Sequence, residues 1–300
     1  MTGTRPLDSA WRHDHPLSGV GSAGGKEERG RVLIVGGSRL VPAALALTFE
    51  AALRVGAGKA RIATVAGVAI PLGVTLPEAG MIALPEDDAG EIDAGAVAAL
   101  ESSLDGCGSL VLGCGAAARP HTGAMVVRLI GLMAAGGAAV IDAGAMTALK
   151  GHDAVVRASG RRLIMTPHHG ELAALTGDDK DAIDRDPAAA AARAADRFGA
   201  IIVLKDRTSY IAAPGGDVLA FTNEAEGLGT AGSGDVLAGI IGGLLSHTDD
   251  PLRAAAWGVW LHSKAGEAAA MRIGRIGYLA RDLLIHLPAI LGSLPDRGTA

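Results

Sequence analysis

Cysteine is nearly absent. Cys107 and Cys114 are the only two in 300 residues, too few for the disulfide framework of small secreted domains, so a reducing compartment, the cytoplasm, is expected. Each thiol reads as a small buried hydrophobe. An excess of positive charge is also missing, since 27 Lys and Arg stand against 32 Asp and Glu for a formal net charge of -5. No basic field is available to collect nucleic acid or anionic lipid. Long apolar runs are lacking as well: the longest uncharged stretch, Ile62 to Pro77, contains Pro71 and falls short of the roughly 18 residues that span a bilayer. A membrane partner is therefore not expected. Metal-ligand spacing does not occur, because His168 and His169 are adjacent and no H-E-x-x-H is found, so the identity of any metal ligand stays unknown at this level. Neither Lys26, followed by Glu27, nor Lys59, followed by Ala60, ends a Walker loop.

What is present is a chain that should fold around a large core, at 49% hydrophobic and 20% charged residues. Its 44 glycines are about twice the usual share, which implies many tight turns or close backbone approaches. Met1 to Arg29 carries His13, Asp14, His15, Lys26, Glu27, Glu28 and Arg29 without an apolar segment, so it is expected to be a mobile tail and not a signal peptide. Short apolar runs then recur at Val32–Val35, Arg61–Val65, Ser109–Leu112, Ala138–Ile141, Leu163–Met165 and Ile201–Leu204. Stretches of helical composition, such as Ala43–Val55, Asp93–Leu104 and Pro187–Phe198, separate them. This alternation predicts an α/β fold with a mostly parallel central sheet and helices on both faces. Ser209–Ala213 and Val218–Phe221 flank Pro214-Gly215-Gly216-Asp217 and read as an antiparallel hairpin. The remainder is expected to be helical over Asp235–Ser246, Pro251–Met271 and Ala280–Leu291. No linker or fixed-period repeat divides the chain, so residues 30–300 are expected to form a single domain.

The most informative segment is Gly227-Leu228-Gly229-Thr230-Ala231-Gly232-Ser233-Gly234-Asp235, a glycine-rich turn entering an apolar helix. Such a turn presents main-chain N–H groups at the positive end of a helix dipole, as a phosphate requires. Asp235 would start that helix, either as a first-turn acid or as a general base toward a hydroxyl. Asp142, Thr166-Pro167-His168 and Lys205 each follow an apolar strand run. In a parallel sheet, Asp142, His168, Lys205 and Asp235 would therefore converge on the carboxyl edge, where open α/β folds bind ligands.

These residues resemble the ADP- or ATP-dependent NAD(P)H-hydrate dehydratases, which have a ribokinase-like fold. The resemblance runs from about Gly30 to Leu291 through Val35-Gly36-Gly37-Ser38, Ala51 to Gly58, Pro77-Glu78, Gly113-Cys114-Gly115, Asp142-Ala143, Thr166-Pro167-His168, Val203-Leu204-Lys205 and Gly232 to Gly239. The last block is shared with related kinases, whereas its combination with the Gly-Gly-Ser and Thr-Pro-His blocks points to the dehydratases. The resemblance implies repair of NADH or NADPH hydrated at C6, with ADP giving AMP and phosphate and Mg²⁺ as counter-charge. Asp235 would take the hydroxyl proton, and main-chain N–H groups of Gly232, Ser233 and Gly234 would form the anion hole. Ala44, Gly115, His168 and Asp235 would contact the hydrate. Lys205, Asp206, Arg207, Thr208, Ser209 and Gly234 would hold the adenine nucleotide. Relatives form homo-oligomers, which is expected here too. Many relatives carry a companion epimerase domain upstream, and this chain is expected to perform the dehydration alone.

The chain departs from the family at four places. Gly144-Ala145 stand where a second Asp is usual, His169 replaces a proline, and Asp206 replaces a glycine. Asn223-Glu224-Ala225-Glu226 replaces a loop containing Asn, Gly and Pro. Two alternatives remain at this level. A small-molecule alcohol kinase of the same fold would turn ATP into ADP and a stable phosphorylated product, and a non-catalytic nucleotide-binding regulator would bind without turnover. Trp257 and Trp260, on the apolar helix from Pro251, are expected in the core rather than at a subunit contact.

Overall fold

The computed structural model describes residues 3–17, 25–26, 28–134, 137–160 and 162–294. The apolar runs form strands because each is buried on both faces, which leaves no polar side to alternate. In chain order the strands are β1 (Thr4–Pro6), β2 (Arg31–Val35), β3 (Lys59–Val65), β4 (Gly80–Leu84) and β5 (Ser109–Leu112). They continue with β6 (Ala138–Ile141), β7 (Arg162–Met165), β8 (Ile201–Leu204), β9 (Thr208–Ala212) and β10 (Val218–Thr222). One ten-stranded sheet results, in the order β1-β10-β9-β8-β7-β6-β5-β2-β3-β4. From β4 to β8 all neighbours are parallel, and β9 pairs antiparallel with both β8 and β10. The α/β, mostly parallel, single-domain architecture expected from the sequence is what forms.

Helices α1 (Ser9–Asp14), α2 (Ala44–Arg54), α3 (Ala66–Thr75), α4 (Ala96–Leu104) and α5 (Thr122–Leu132) lie between or beside the first strands. The short α6 (Ala143–Thr147) and α7 (Asp153–Ala158) follow β6, and α8 (His169–Thr176), α9 (Lys180–Arg185) and α10 (Pro187–Phe198) separate β7 from β8. The chain closes with α11 (Ser233–Leu245), α12 (Pro251–Arg272), α13 (Ala280–Leu284) and α14 (Leu287–Gly292). Alternate side chains of β5 show the layering: Val111 faces Gly242 of α11, while Leu112 lines a small cavity with Met125 and Val126 of α5. Among the described residues no helix is long and apolar enough to cross a membrane.

Two expectations change. Residues 3–17, expected within a mobile tail, are built into the domain: β1 adds to β10 in parallel register and Leu7 is buried. Trp257 is buried and its Nε1–H donates to the carbonyl of His15 at 2.8 Å, while the Arg12 guanidinium lies 4.7 Å over the Trp260 ring. The indoles are thus covered by the chain's own first helix. Residues 1–2, 18–24 and 27 of the expected tail lie outside the described residues. The helix expected over Ala280–Leu291 breaks between Leu284 and Leu287, because Pro288 has no N–H to give and is tolerated only in a first turn.

The sheet order fixes where a ligand can enter. From β2 the chain winds outward through β3 to β4, then returns to β5 on the other side of β2 and winds away through β6 to β8. The switch point lies between β2 and β5, and crevices open at the carboxyl ends of strands there.

Candidate active site

The carboxyl ends of β5 to β8 carry the polar groups in register. Asp142 N–H donates to Leu112 O at 2.9 Å, Thr166 N–H to Ile141 O at 3.3 Å, and Lys205 N–H to Pro167 O at 2.7 Å. Each residue thus prolongs the ladder by one step before its chain turns away. Beside them lies a cleft of about 730 Å³ whose walls include Asp142, His168, Glu171, Lys205, Ser233, Gly234 and Asp235. All four groups expected to converge, Asp142, His168, Lys205 and Asp235, line it.

Asp142 is buried at 3% exposure and is neutralised locally: Thr166 Oγ1 donates to its Oδ1 at 2.6 Å and Lys205 Nζ at 3.1 Å. Lys205 also lies 3.7 Å from Glu171 Oε2. Burial opposes the Lys205 charge, but Asp142 and Glu171 outweigh it and hold the ammonium above its ordinary range. A Cβ on Gly234 would sit 3.3 Å from Lys205 Nζ, so the cation is next to the glycine turn.

That turn is shaped by Gly232, which takes a left-handed conformation (φ +86°) as the N-cap of α11. Its conformation aims the first helical turn into the cleft, where first-turn N–H groups have no acceptor within their own helix. Ser233 differs from the sequence expectation, because its N–H donates to Thr230 O at 3.2 Å. Asp235 occupies the third helical position. Its main-chain carbonyl accepts from Thr48 Oγ1 at 3.2 Å, which ties α11 to α2. Burial first, then the nearby Asp142 carboxylate, push its carboxyl up to about 6, against the opposing pull of a hydrogen bond from Cys114 and the charge of Lys205. Cys114 is itself fully buried, and burial with the two aspartates raises its thiol far above the ordinary range. It is therefore a neutral donor rather than a nucleophile. The sequence reading of Cys114 as a small buried group captured its burial and missed its contact with Asp235.

His168 is the N-cap of α8, where its Nδ1 accepts from the N–H groups of Gly170 at 3.0 Å and Glu171 at 3.2 Å, and Glu171 Oε2 accepts from the His168 N–H at 2.8 Å. Its exposed ring thus stands fixed at the cleft rim. Nearby, His169 Nδ1 lies 2.6 Å from Asp184 and its Nε2 3.7 Å from Asp206. Asp206, Arg207 and Ser209 line the cleft, whereas the Thr208 hydroxyl pairs with that of Thr222 at 3.0 Å. Ala44 and Gly115 do not line the cleft. They adjoin one another next to Thr48, whose hydroxyl donates to the Asp235 carbonyl, and Cys114, whose thiol donates to its carboxyl.

Gly115 has φ +70°, and a Cβ there would lie 2.6 Å from Val41 O and 2.8 Å from Ala44 Cβ. Gly115→Ala is expected to lose roughly 2–4 kcal/mol of stability from backbone strain and overpacking together. Urea unfolding of the two proteins measures this, and equal midpoints would show that the turn relaxes freely.

For a divalent cation, the cleft offers the carboxylates of Asp142, Asp235, Glu224 and Glu226. Cys114, Asp142 and Asp235 place ligand atoms within 4.8 Å of one another, but a thiol suits magnesium poorly and Lys205 already occupies Asp142. Oxygen donors without a closed cage fit Mg²⁺ that arrives bound to nucleotide phosphates.

The surroundings of this carboxylate belong to a recognisable family. A profile of the NAD(P)H-hydrate dehydratases matches residues 32–289. The chain belongs to that family. It is 43% identical over 298 residues to the ADP-dependent (S)-NAD(P)H-hydrate dehydratase of Xanthomonas campestris pv. campestris, a match covering 98% of this chain and 99% of the relative. The crystal structure of the ADP/ATP-dependent NAD(P)H-hydrate dehydratase of Bacillus subtilis, co-crystallised with ATP and Mg²⁺, superposes with a TM-score of 0.76 at 26% identity, over 90% of this chain and 92% of that one. A ribokinase-like protein of Enterococcus faecalis shares the fold at a TM-score of 0.78 and 22% identity, over 97% and 96% of the two chains. The dehydratase resemblance expected from the motif order is therefore correct, and so is the ribokinase-like fold.

Within this dehydratase-family site, the lining residues that escaped the sequence reading include Glu171 and His262. His262 of α12 lies in an apolar helix with no motif around it, and its Nε2 is 2.9 Å from Ser233 Oγ. It opens the polar run His262-Ser263-Lys264, which reads as an exposed helix face and carries no signal for a site.

Proposed function

We propose that the chain restores (S)-NAD(P)H hydrate to NAD(P)H at the expense of ADP or ATP. The observation that carries this is the Asp235 carboxylate, pushed up to about 6 at the switch point of the sheet and beside a glycine turn suited to phosphate. A carboxylate of ordinary pKa is a feeble base for an alcohol, and this one is better matched to neutral solution. The hydrate hydroxyl oxygen attacks the terminal phosphorus of the nucleotide, and the phosphorus bond to the bridging oxygen breaks. Asp235 holds the hydroxyl proton, moved late in a loose transfer. The ring-nitrogen lone pair then expels phosphate from C6, and loss of a proton from the adjacent ring carbon restores the double bond. Hydroxide leaves poorly at neutral pH, whereas a phosphate ester leaves readily.

In this reading Gly232 and Gly234 offer main-chain N–H groups to the transferring phosphoryl, and a single such donor is commonly worth ~10²–10³ in rate. Lys205, Asp206, Arg207, Thr208, Ser209 and Gly234 form the nucleotide side. His168 forms the hydrate side with Asp235, and Ala44 and Gly115, outside the cleft beside Thr48 and Cys114, would meet the hydrate only where it extends beyond the cleft. Mg²⁺ bound with the nucleotide supplies counter-charge, with Glu224 and Glu226 among the oxygen ligands available to it. We place the protein in the cytoplasm, a reading supported by the free thiols of Cys107 and Cys114. A homo-oligomer is proposed too, supported by exposed Ile70 and Val74, one turn apart on α3. Nucleic acid and membrane partners are not part of the reading.

Purified protein with MgCl₂, hydrated NADH or NADPH, and ADP or ATP in parallel should regenerate the absorbance of reduced nicotinamide. A stable phosphorylated product with no return of absorbance would replace this reading by the alcohol kinase. With nucleotide saturating, kcat/KM for the hydrate should rise with pH along a limb centred near 6, as Asp235 loses its proton. A limb near 4 would remove the burial of Asp235 from the account.

A further inference from the structure

Ser233 has lost its main-chain donor to Thr230, yet its side chain, buried at 6% exposure of the residue, still borders the cleft together with His262. The two side chains are 2.9 Å apart, Oγ to Nε2. A hydrogen bond of this kind has two senses. If Ser233 donates to the ring, only hydroxyl lone pairs face the cleft, and an anionic phosphoryl group meets repulsion there. If the ring donates, the hydroxyl hydrogen is free to point at a phosphoryl oxygen, which is an acceptor only.

We propose that His262 is a positioning residue for phosphoryl transfer: its Nε2–H donates to Ser233 Oγ and turns the Ser233 hydroxyl into a donor toward the transferring phosphoryl. The side chain thereby replaces the main-chain N–H that Ser233 spends on Thr230. This rests on the phosphoryl-transfer reading above.

A ring in this place must stay neutral, since a charged imidazolium would shed its proton to the phosphoryl or compete with Lys205. Burial is the main cause pushing His262 down to about 4, the positive charge of Lys205 adds to it, and a hydrogen bond to the Ser233 main chain opposes it. The titratable groups sharing its cleft are Asp142, Glu171, Lys205, Asp206, Arg207, Glu224, Glu226, Asp235 and His168. With Lys205 the charge that acts on it, the ring stays uncharged through the working range.

The test is a set of four variants: Ser233→Ala, His262→Leu, the double variant, and His262→Gln, whose amide retains an N–H. Each is checked for melting temperature against the parent. His262→Leu and Ser233→Ala should each lower kcat by on the order of 10²-fold, with KM for the hydrate unchanged. The double variant should be no worse than either alone, because both remove one oriented donor, and His262→Gln should recover part of the loss. Losses that multiply in the double variant, or full activity in a folded His262→Leu protein, would overturn the pairing. Calorimetric binding of Mg²⁺·ADP gives a reading that does not need turnover: the two single variants should weaken it equally, by on the order of tenfold, and non-additively. If the parent binds nucleotide in this pattern but regenerates no reduced nicotinamide, the reaction assigned above has failed while the Ser233–His262 pairing stands. Unequal or additive weakening sinks the pairing alone.

Discussion

Asp235→Asn should lower turnover by ~10³-fold or more, the usual range for a general base together with its place in an oriented site, and should at the same time make the fold more stable. The second effect follows from linkage. The folded-state carboxyl sits near 6, above its ordinary 3.8, so the folded chain holds this proton more tightly than the unfolded one. Stability from this source is fully present below pH 4 and is lost as pH rises through 6. At pH 7.5 the ionised, half-buried carboxylate therefore costs on the order of 2–3 kcal/mol. A favourable first-turn position in the helix dipole offsets about 0.3–1 kcal/mol of that. The amide carries neither effect, so the variant should melt a few degrees higher at pH 7.5, and the gap should close near pH 4. Differential scanning calorimetry at the two pH values reads it. A variant that melts lower at neutral pH would mean that Asp235 is solvated and relaxed, which would also remove its advantage as a base.

Lys205→Met is expected to be the most damaging single change to the fold among the cleft residues. Asp142 is 3% exposed, with Lys205 Nζ at 3.1 Å and Thr166 Oγ1 at 2.6 Å, and removing the cation strands a buried carboxylate. Breaking such a pair commonly costs about 3–5 kcal/mol, whereas replacing both members costs far less. The double variant Asp142→Asn with Lys205→Met should therefore recover most of the stability in urea unfolding. It should not recover activity, because the cation beside Gly234 is still gone. Recovery of turnover in the double variant would show that Lys205 serves only to neutralise Asp142. An unfolding midpoint unchanged in the single variant would show that the pair is solvated.

The legible parts of the molecule are those where burial leaves one pattern available. Val32–Val35, Leu110–Leu112, Ala138–Ile141 and Ile201–Leu204 are unbroken apolar runs because helices cover both faces of the sheet. Asp142 and Lys205 were readable as site residues because each follows such a run directly, at the end where the ladder stops. Edge strands gave no such signal: β4 is only partly buried, with Gly80 and Ala83 exposed, and β1 is a three-residue strand ending in Pro6. Helix α3 hides Pro71 within its span, which reads as a breaker. His168 lines the cleft as the strand end implied, but its double hydrogen bond as a helix cap depends on how the chain leaves β7. Ser233 and His262 meet only because α11 and α12 pack together, a contact across 29 residues that no local pattern encodes. Gly144 shows the opposite case. A side chain there would press on the main chain of Ala116, Ala117 and Ala118, so the packing of this loop admits only glycine.

The first strand and helix bear on how the protein is handled. The motifs start at Arg31, which makes that position an inviting place to begin a shortened version. Such trimming would uncover two indole rings and leave the hairpin as a bare sheet margin, a combination that invites self-association. The leading segment works as a stopper on the far side of the sheet from the first motif, and a preparation without it would be judged unstable for reasons unrelated to its catalytic machinery.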